Sequence, residues 1–247
     1  MDKKEYGKMY KFEENYWWFV GKKYLLSLFL EKYYRGRHDL KILDVGCGTG
    51  IMMDMLKKYG DVYGIDSSKI AIDFCRKRNI KNIKLAKIQN IPYKKEEFDV
   101  ITCLDVLYHK NVKDDIGAMK ELNRVLKSKG SVFITDSAMM CLYGGHDLAN
   151  HGIRRYSKKE LKHKLRKAGF MAKKLTYYNT LLFPLIYLNR KLGNLIEKNK
   201  AKSDIQEINF ILNWLLEKLF KFELSFLRFI DYPFGVSVFC VAKKVNF

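Results

Sequence analysis

What these 247 residues lack already narrows the reading. The five cysteines (Cys47, Cys75, Cys103, Cys141 and Cys240) are odd in number and form no C-x-x-C pair. Most fall in expected core elements, so buried thiols in a reducing cytosol are the reading. No charged start followed by an apolar stretch suggests secretion, and a cytoplasmic location is expected. The apolar run Leu181–Leu188 is far too short to span a bilayer. Histidine and aspartate show no ligand spacing on any one element, so no metal centre is expected. Internal repeats and low-complexity tracts are absent too. Acidic residues are scarce: 27 Asp and Glu stand against 47 Lys and Arg, a formal charge of +20. No block of like charge accompanies that excess; pairs such as Lys57-Lys58, Lys94-Lys95 and Lys243-Lys244 are scattered and read as solvated faces. One stretch is denser, with ten Lys/Arg against the single Glu160 between Arg154 and Lys174. It leaves an anionic partner open, whether phosphate, lipid headgroup or RNA.

What is present begins at Lys41-Ile42-Leu43-Asp44-Val45-Gly46-Cys47-Gly48-Thr49-Gly50. Ile42, Leu43 and Val45 read as a buried strand, and the glycine turn opens a helix near Ile51. Glycines at 46, 48 and 50 let the backbone pass under a bound ligand without Cβ clashes. Asp66, at the tip of a second apolar run, can take both hydroxyls of a ribose. The arrangement is that of an α/β sheet holding a nucleoside. A dinucleotide fingerprint would need a third glycine at position 51, which is Ile51. Asp44, two positions before Gly46, suits a cationic amino acid moiety better than a pyrophosphate.

At these residues the sequence resembles the class I S-adenosylmethionine-dependent methyltransferases. Their first motif is an acidic residue followed by x-G-x-G-x-G. The resemblance implies that Asp44, Gly46, Cys47, Gly48 and Gly50 hold the methionine end, while Asp66 and Ser67 hold the ribose. It also matches Glu97–His109 to the family's fourth strand and loop, with Leu104 at the cofactor. Leu122–Asp136 matches the helix, turn and fifth strand, although Ser128-Lys129-Gly130 keeps only the last glycine of the usual turn. Before Ile91-Pro92 the family commonly has an acid near the adenine; Lys87 stands in its place, leaving Gln89 or the Ile88 backbone N–H. The expected fold is therefore α/β: a Rossmann-like, seven-stranded, mostly parallel sheet. Residues 1–39 are expected to form an N-terminal helical and aromatic cap. Residues 40–247 would be the methyltransferase-like domain, with a helical insertion at about 179–232.

Patterning adds detail to this frame. Lys22–Tyr34 looks helical, and Asn111–Leu126 carries Ile116, Met119, Leu122, Val125 and Leu126 at helical spacing. Ser157-Lys158-Lys159-Glu160 is a capping box for a helix stopped by Gly169. Strands are expected over Phe170–Tyr178 and Gly235–Ala242, the last antiparallel by the family pattern. Between them, Ile208, Ile211, Leu215, Leu219, Phe222 and Phe226 belong to one broad apolar stripe, with Glu217 and Lys221 paired on the other side. That helix packs on its own domain, covers an apolar substrate, forms a homodimer face or touches a membrane surface; the chain alone leaves monomer and homodimer both open.

Methyl transfer needs alignment and exclusion of water, and a base only if the acceptor arrives protonated. Tyr108 and His109 follow the fourth strand and should face the crevice. His109 has a pKa suited to taking a proton, or it is a loop residue with structural hydrogen bonds. His146, His151, Arg154, Arg155 and Tyr156 crowd the segment before the capping box. The arginines either clamp a phosphate or carboxylate or tie the loop down by salt bridges. Glu14–Lys23, His151–Ser157 and Pro233–Ser237 together resemble a bacterial and archaeal type 11/12 subgroup of unassigned acceptor. There the aromatic start, Trp17 included, would cap the pocket; Trp17 and Trp18 serve equally as core anchors. The expected function is methyl transfer from S-adenosyl-L-methionine to a small-molecule, glycan or lipid-linked acceptor. RNA methylation is favoured by net charge alone, since no RNA-binding module, Asn-Pro-Pro-Tyr-type motif or catalytic cysteine motif accompanies it. A non-catalytic cofactor-binding scaffold has only the Lys87 departure in its favour.

Overall fold

The computed structural model describes residues 3–196 and 204–245; residues 197–203 of the expected insertion lie outside them. Seven strands form one sheet in the order β3-β2-β1-β4-β5-β7-β6. Around β1 (Leu40–Val45), β2 (Gly60–Asp66), β3 (Ile83–Leu85), β4 (Phe98–Leu104) and β5 (Leu126–Ser137) all run parallel. β7 (Ser237–Lys244) runs antiparallel between β5 and β6 (Phe170–Tyr178). This is the Rossmann-like sheet expected from the motifs, with its reversed strand where the family pattern puts it. Strand order reverses between β1 and β4, so a crevice opens beyond their carboxyl ends.

The strands alternate between two apolar layers. Leu43 and Val45 of β1, Ile101 and Cys103 of β4, and Cys240 of β7 face one core, with Met119, Leu122, Leu161 and Leu165. Ile42, Val100, Phe239 and Val241 face the other, with Leu25, Phe29, Met53 and Phe220. The helices sort accordingly. α5 (Asp115–Val125) and α7 (Lys158–Lys167) cover the first face; α2 (Trp17–Tyr34), α3 (Ile51–Leu56) and α9 (Phe210–Phe226) cover the second. Caps set the starts: Asp114 accepts from Gly117 N, and Ser157 accepts from Glu160 N, one half of the expected capping box, while the Glu160 carboxylate pairs with Lys164 at 2.9 Å. Gly169 ends α7 in the left-handed region at φ +80°.

Several elements differ from expectation. The segment read as a turn, Ser128-Lys129-Gly130, is part of a twelve-residue β5. The register shifts between the Phe98–Leu126 and Val100–Ser131 pairs, which puts the extra residues on β5, and a Cβ on residue 130 would lie 2.7 Å from Asp99 O, so the glycine is what lets the strands close up. α1 (Lys3–Phe12) lies within the expected helical cap without having been singled out, and α2 starts at Trp17, five residues before the periodic run. The second half of α2 is core: Phe29 meets Phe239 at 4.8 Å between ring centres, and the Tyr34 hydroxyl bonds Ser131 Oγ at 2.9 Å. The insertion holds α8 (Phe183–Ile196) and α9, whose stripe faces two ways. Phe220, Glu223, Leu224 and Leu227 point inward, while Ile211, Leu215, Phe222 and Phe226 are exposed. α2 and α9 cross closely at Gly21, where an added Cβ would fall 2.1 Å from Phe220 Cδ1. α4 (Lys69–Lys77) and the short α6 (Gly145–Ala149) complete the described helices.

Candidate active site

The glycine turn is built from β1's last residues and pinned from below. The N–H groups of Gly46 and Cys47 both donate to Ile65 O, at 2.8 and 3.0 Å, so β2 fixes the turn's height. Gly46 adopts φ +72°, and a Cβ there would strike Val106 Cγ2 at 2.3 Å. Gly48 lies at φ +56° with only Met9 Cε nearby, at 3.5 Å, and its N–H donates to Asp66 Oδ2 at 3.0 Å. Asp66 also accepts from Ser68 N at 2.8 Å, and burial raises its pKa. One carboxylate thus holds both the loop and the start of α4.

A cavity of about 290 Å³ opens above this turn. Of the expected cofactor residues, Gly46, Gly48, Asp66, Ser67, Ile88 and Leu104 form its wall. Asp44, Cys47 and Gly50 sit behind that wall. Asp44 is buried and accepts from Thr102 Oγ1 at 2.6 Å; burial raises its pKa to about 6, against the hydrogen bond from Thr102 and the charge of Lys22. Gly50 caps α3 at φ +90°. Lys87 and Gln89 line the cavity beside Ile88, but the Gln89 amide donates to Asn111 O at 2.7 Å.

The loop after β4 supplies the next wall with Asp105, Val106, Tyr108 and His109. It is held by a bridge between His109 and Gly152 and by Lys110 N donating to His151 O at 2.9 Å. Gly152 leaves room for the Tyr108 ring, which a Cβ would meet at 2.7 Å. Burial pushes the Tyr108 phenol well up, so it stays neutral. His109 Nδ1 accepts from Asn111 N at 3.1 Å. Burial, with the nearby His151 and Lys110, brings its pKa down to about 4. At neutral pH the ring is therefore uncharged, with its proton on Nε2.

The residues from 146 to 156 divide. His146 and Arg155 reach the cavity. The Arg155 guanidinium is buried, with Nε and Nη2 on the Asp147 carboxylate at 2.9 and 3.1 Å and Nη1 on Ala138 O at 2.9 Å. His146 Nδ1 lies 3.3 Å from Asp204. Arg154, Tyr156 and His151 are not on the cavity wall. Arg154 pairs with Asp115 at 3.3 Å, and the buried Tyr156 hydroxyl donates to the same carboxylate at 2.7 Å. These two tie the loop to α5, the salt-bridge alternative of the sequence reading. The His151 ring stands 5.8 Å from that of His109. Trp17 lines the cavity and also packs edge-on against Phe220; Trp18 stacks on Phe220 at 5.4 Å.

Other cavity residues were not named from sequence. Tyr6 and Met9 of α1 lie over the glycine turn. Their helix is strapped there by Glu13, which accepts from Thr49 Oγ1 and pairs with Arg78 at 2.8 Å. Lys22 of α2 forms an ion pair with Asp105, whose other oxygen accepts from Thr135 Oγ1 at 3.0 Å. Asp105 and Asn179 both hold φ near +60° at the ends of β4 and β6, conformations that Asp and Asn tolerate better than most residues. Asn179 is almost fully buried on the cavity wall, and its Oδ1 has no hydrogen-bond partner. The insertion contributes Ile186 and Arg190, the latter paired with Asp204 at 2.7 Å. Only Asp105 had a sequence signal, its place directly after the fourth strand.

Sheet order, glycine turn and the carboxylate at the tip of β2 are those of the class I methyltransferase fold. Residues 43–134 match the family described as methyltransferase domain, so the chain carries an S-adenosylmethionine-dependent methyltransferase domain there. The chain is 32% identical over 110 residues to an uncharacterized protein of Methanocaldococcus jannaschii, covering 44% of this chain and 45% of that protein, less than half its length. It is 28% identical over 237 residues to the ubiquinone/menaquinone biosynthesis C-methyltransferase UbiE of Campylobacter jejuni, covering 90% of this chain and 83% of that one. Among solved structures, the methyltransferase complexed with the Haloferax volcanii Trm112 methyltransferase activator superposes with a TM-score of 0.64. That likeness, at 14% identity over 99% of this chain and 95% of that one, is one of fold.

Proposed function

We propose that this methyltransferase acts on an amphiphilic acceptor, small or lipid-linked, whose apolar body carries an oxygen or carbon nucleophile. The observation that carries the reading is the composition of the cavity. Apart from Asp66 and Gly48, its wall includes Trp17, Trp18 and Phe19 of α2, Tyr108, and Ile186 of α8. Polar groups stand among them: His109, His146, Asn179, Ser137 and Ser237, with the charged Lys22, Arg155 and Arg190 held in ion pairs. Such a wall takes an apolar body and fixes its orientation through one or two polar atoms. The UbiE relatives, named for quinone biosynthesis, support the same class of acceptor.

S-adenosylmethionine supplies, when bound, an electrophilic methyl group on a sulfonium. The residues present fit it. Asp66 accepts from the ribose hydroxyls, and Gly46 and Gly48 leave the backbone bare beneath the ligand. The opposite charges of Lys22 and Asp105 match the carboxylate and ammonium of its amino acid end. His109, with its proton on Nε2, donates to the acceptor oxygen and holds it in line rather than removing its proton. An acceptor already ionised at neutral pH, a phenolate or enolate, needs no base.

RNA methylation keeps one observation in its favour, the charge of +20. Against it, Arg154, Arg155, Lys164 and Lys174 of the dense basic segment are engaged by Asp115, Asp147, Glu160 and Asp231.

Two measurements test the reading. Calorimetry with S-adenosylmethionine should show binding that weakens at least about tenfold in Asp66→Ala, from the loss of hydrogen bonds to a charged acceptor. Unchanged affinity in a folded variant would displace the pocket. Incubation with methyl-labelled cofactor and either total lipid extract or total RNA should place label in the lipid fraction. Label confined to RNA would overturn the acceptor class.

A further inference from the structure

α9 is apolar on both sides, and only one side is covered. Inward, Phe220 and Leu224 pack against α2 and the sheet, and Glu223 anchors the insertion by accepting from Thr180 N and Leu181 N at 2.9 Å. Outward, Ile211, Leu215, Phe222 and Phe226 repeat at helical spacing, with Trp214 beside them. Phe210 and Phe229, at its two ends, are 80% and 82% exposed. An exposed apolar stripe of this extent on a firmly anchored helix marks a contact surface.

We propose that the outward stripe of α9 docks in the interface of an anionic lipid bilayer, the helix lying in the membrane plane. Charge selects this occupant. Two copies of a chain carrying +20 repel each other, whereas an anionic bilayer attracts each copy. The cations stand where the proposal needs them: Lys218 and Arg228 are exposed on α9 and just past its end, and Lys218 lies 5.8 Å from the centre of the Trp214 ring. Lys218 stands within the stripe, four positions from both Trp214 and Phe222, so its apolar stem lies along the membrane-facing side while its ammonium reaches the headgroups. At seventeen residues with charged side chains it does not span, and no helix among the described residues is long and apolar enough to cross a membrane. The insertion also walls the cavity through Ile186 and Arg190, so docking would bring the acceptor compartment close to the lipid surface. The docking itself does not rest on the acceptor reading, because binding is measured without methyl transfer.

Flotation of the full chain with phosphatidylcholine vesicles, with and without phosphatidylglycerol, tests this. The protein should float with the anionic vesicles, weakly or not at all with neutral ones, and detach as salt is raised. The triple variant Phe210→Ser, Ile211→Ser, Leu215→Ser should lose roughly a hundredfold or more in partitioning. Lys218→Glu should lose about tenfold on anionic vesicles alone. Calorimetry with S-adenosylmethionine, unchanged in both variants, shows that they fold. Three results overturn the proposal: no flotation of the wild type, equal flotation with neutral vesicles, or a homodimer by light scattering that the triple variant abolishes. The last would give the stripe to a second copy.

Discussion

Replacing Gly46 by alanine probes the glycine turn at its tightest point. The residue holds φ +72°, and its missing Cβ would lie 2.3 Å from Val106 Cγ2. A left-handed conformation costs an L-residue about 1–2 kcal/mol. Forcing a methyl into a filled space adds about 1–3 kcal/mol. The stiffer unfolded chain of alanine returns about 0.4–1 kcal/mol. Gly46→Ala should therefore destabilise by about 2–4 kcal/mol, from these three contributions. Gly48 shares the backbone conformation at φ +56° but has only an ordinary contact, Met9 Cε at 3.5 Å. Its alanine variant should cost only about 1 kcal/mol. Urea unfolding of the two variants, at constant m-value, measures the difference. Val106→Ala removes the obstructing methyl, so the double mutant Gly46→Ala, Val106→Ala should be more stable than the two single costs predict. Equal costs at the two glycines, or strict additivity in the double mutant, would refute the steric account.

Three other outcomes are expected. Burial holds Asp44 at about 6 against an ordinary 3.8. The folded state thus keeps its proton longer than the unfolded chain does, and the associated stability, complete below about 3.8, falls by roughly 3 kcal/mol as pH rises through about 6. Asp44→Asn, which still accepts from Thr102, should flatten that slope in urea titrations across this range; an unaltered slope refutes the burial. With His109 down at about 4, methyl transfer should show no inflection near 6.5 from this ring. His109→Gln, which keeps an N–H, should retain more kcat than His109→Ala by about tenfold. Arg155→Ala leaves the Asp147 carboxylate buried and short of its guanidinium, and should lower the unfolding free energy by about 3–5 kcal/mol. A loss below about 1 kcal/mol would mean that Asp147 regains water.

The central sheet was readable because its signals are local: an apolar run, a glycine turn and a terminal acid lie within thirty residues of one another. α5, α7, β6 and β7 were likewise announced by spacing and caps. The start of β5 was not, since Ser128-Lys129-Gly130 has turn composition and lies in strand only because the pairs on either side of it, Leu126 with Phe98 and Ser131 with Val100, hold β5 against β4. α1 is short and rich in lysine; Tyr6, and Glu13 just past its end, give it a place by reaching the cavity wall and the glycine turn. The stripe on α9 was visible as apolar, but which half of it is covered depends on α2, almost two hundred positions earlier. The same holds for the site. Gly46, Gly48 and Asp66 follow from a motif, whereas Lys22, Asn179 and Arg190 arrive from distant segments and carry no pattern that marks them. Arg154 and Tyr156 looked functional by crowding alone, and their partner Asp115 lies on another helix.

The crossing of Gly21 and Phe220 ties the two ends of the chain into a single partition. Any residue larger than glycine at 21 displaces the ring that Trp17 and Trp18 lean on. A graft that swaps the 179–232 segment to retarget the enzyme would therefore fail unless the first helices travel with it. Diversification of acceptor choice on this scaffold has to proceed by matched pairs of changes, one near each terminus.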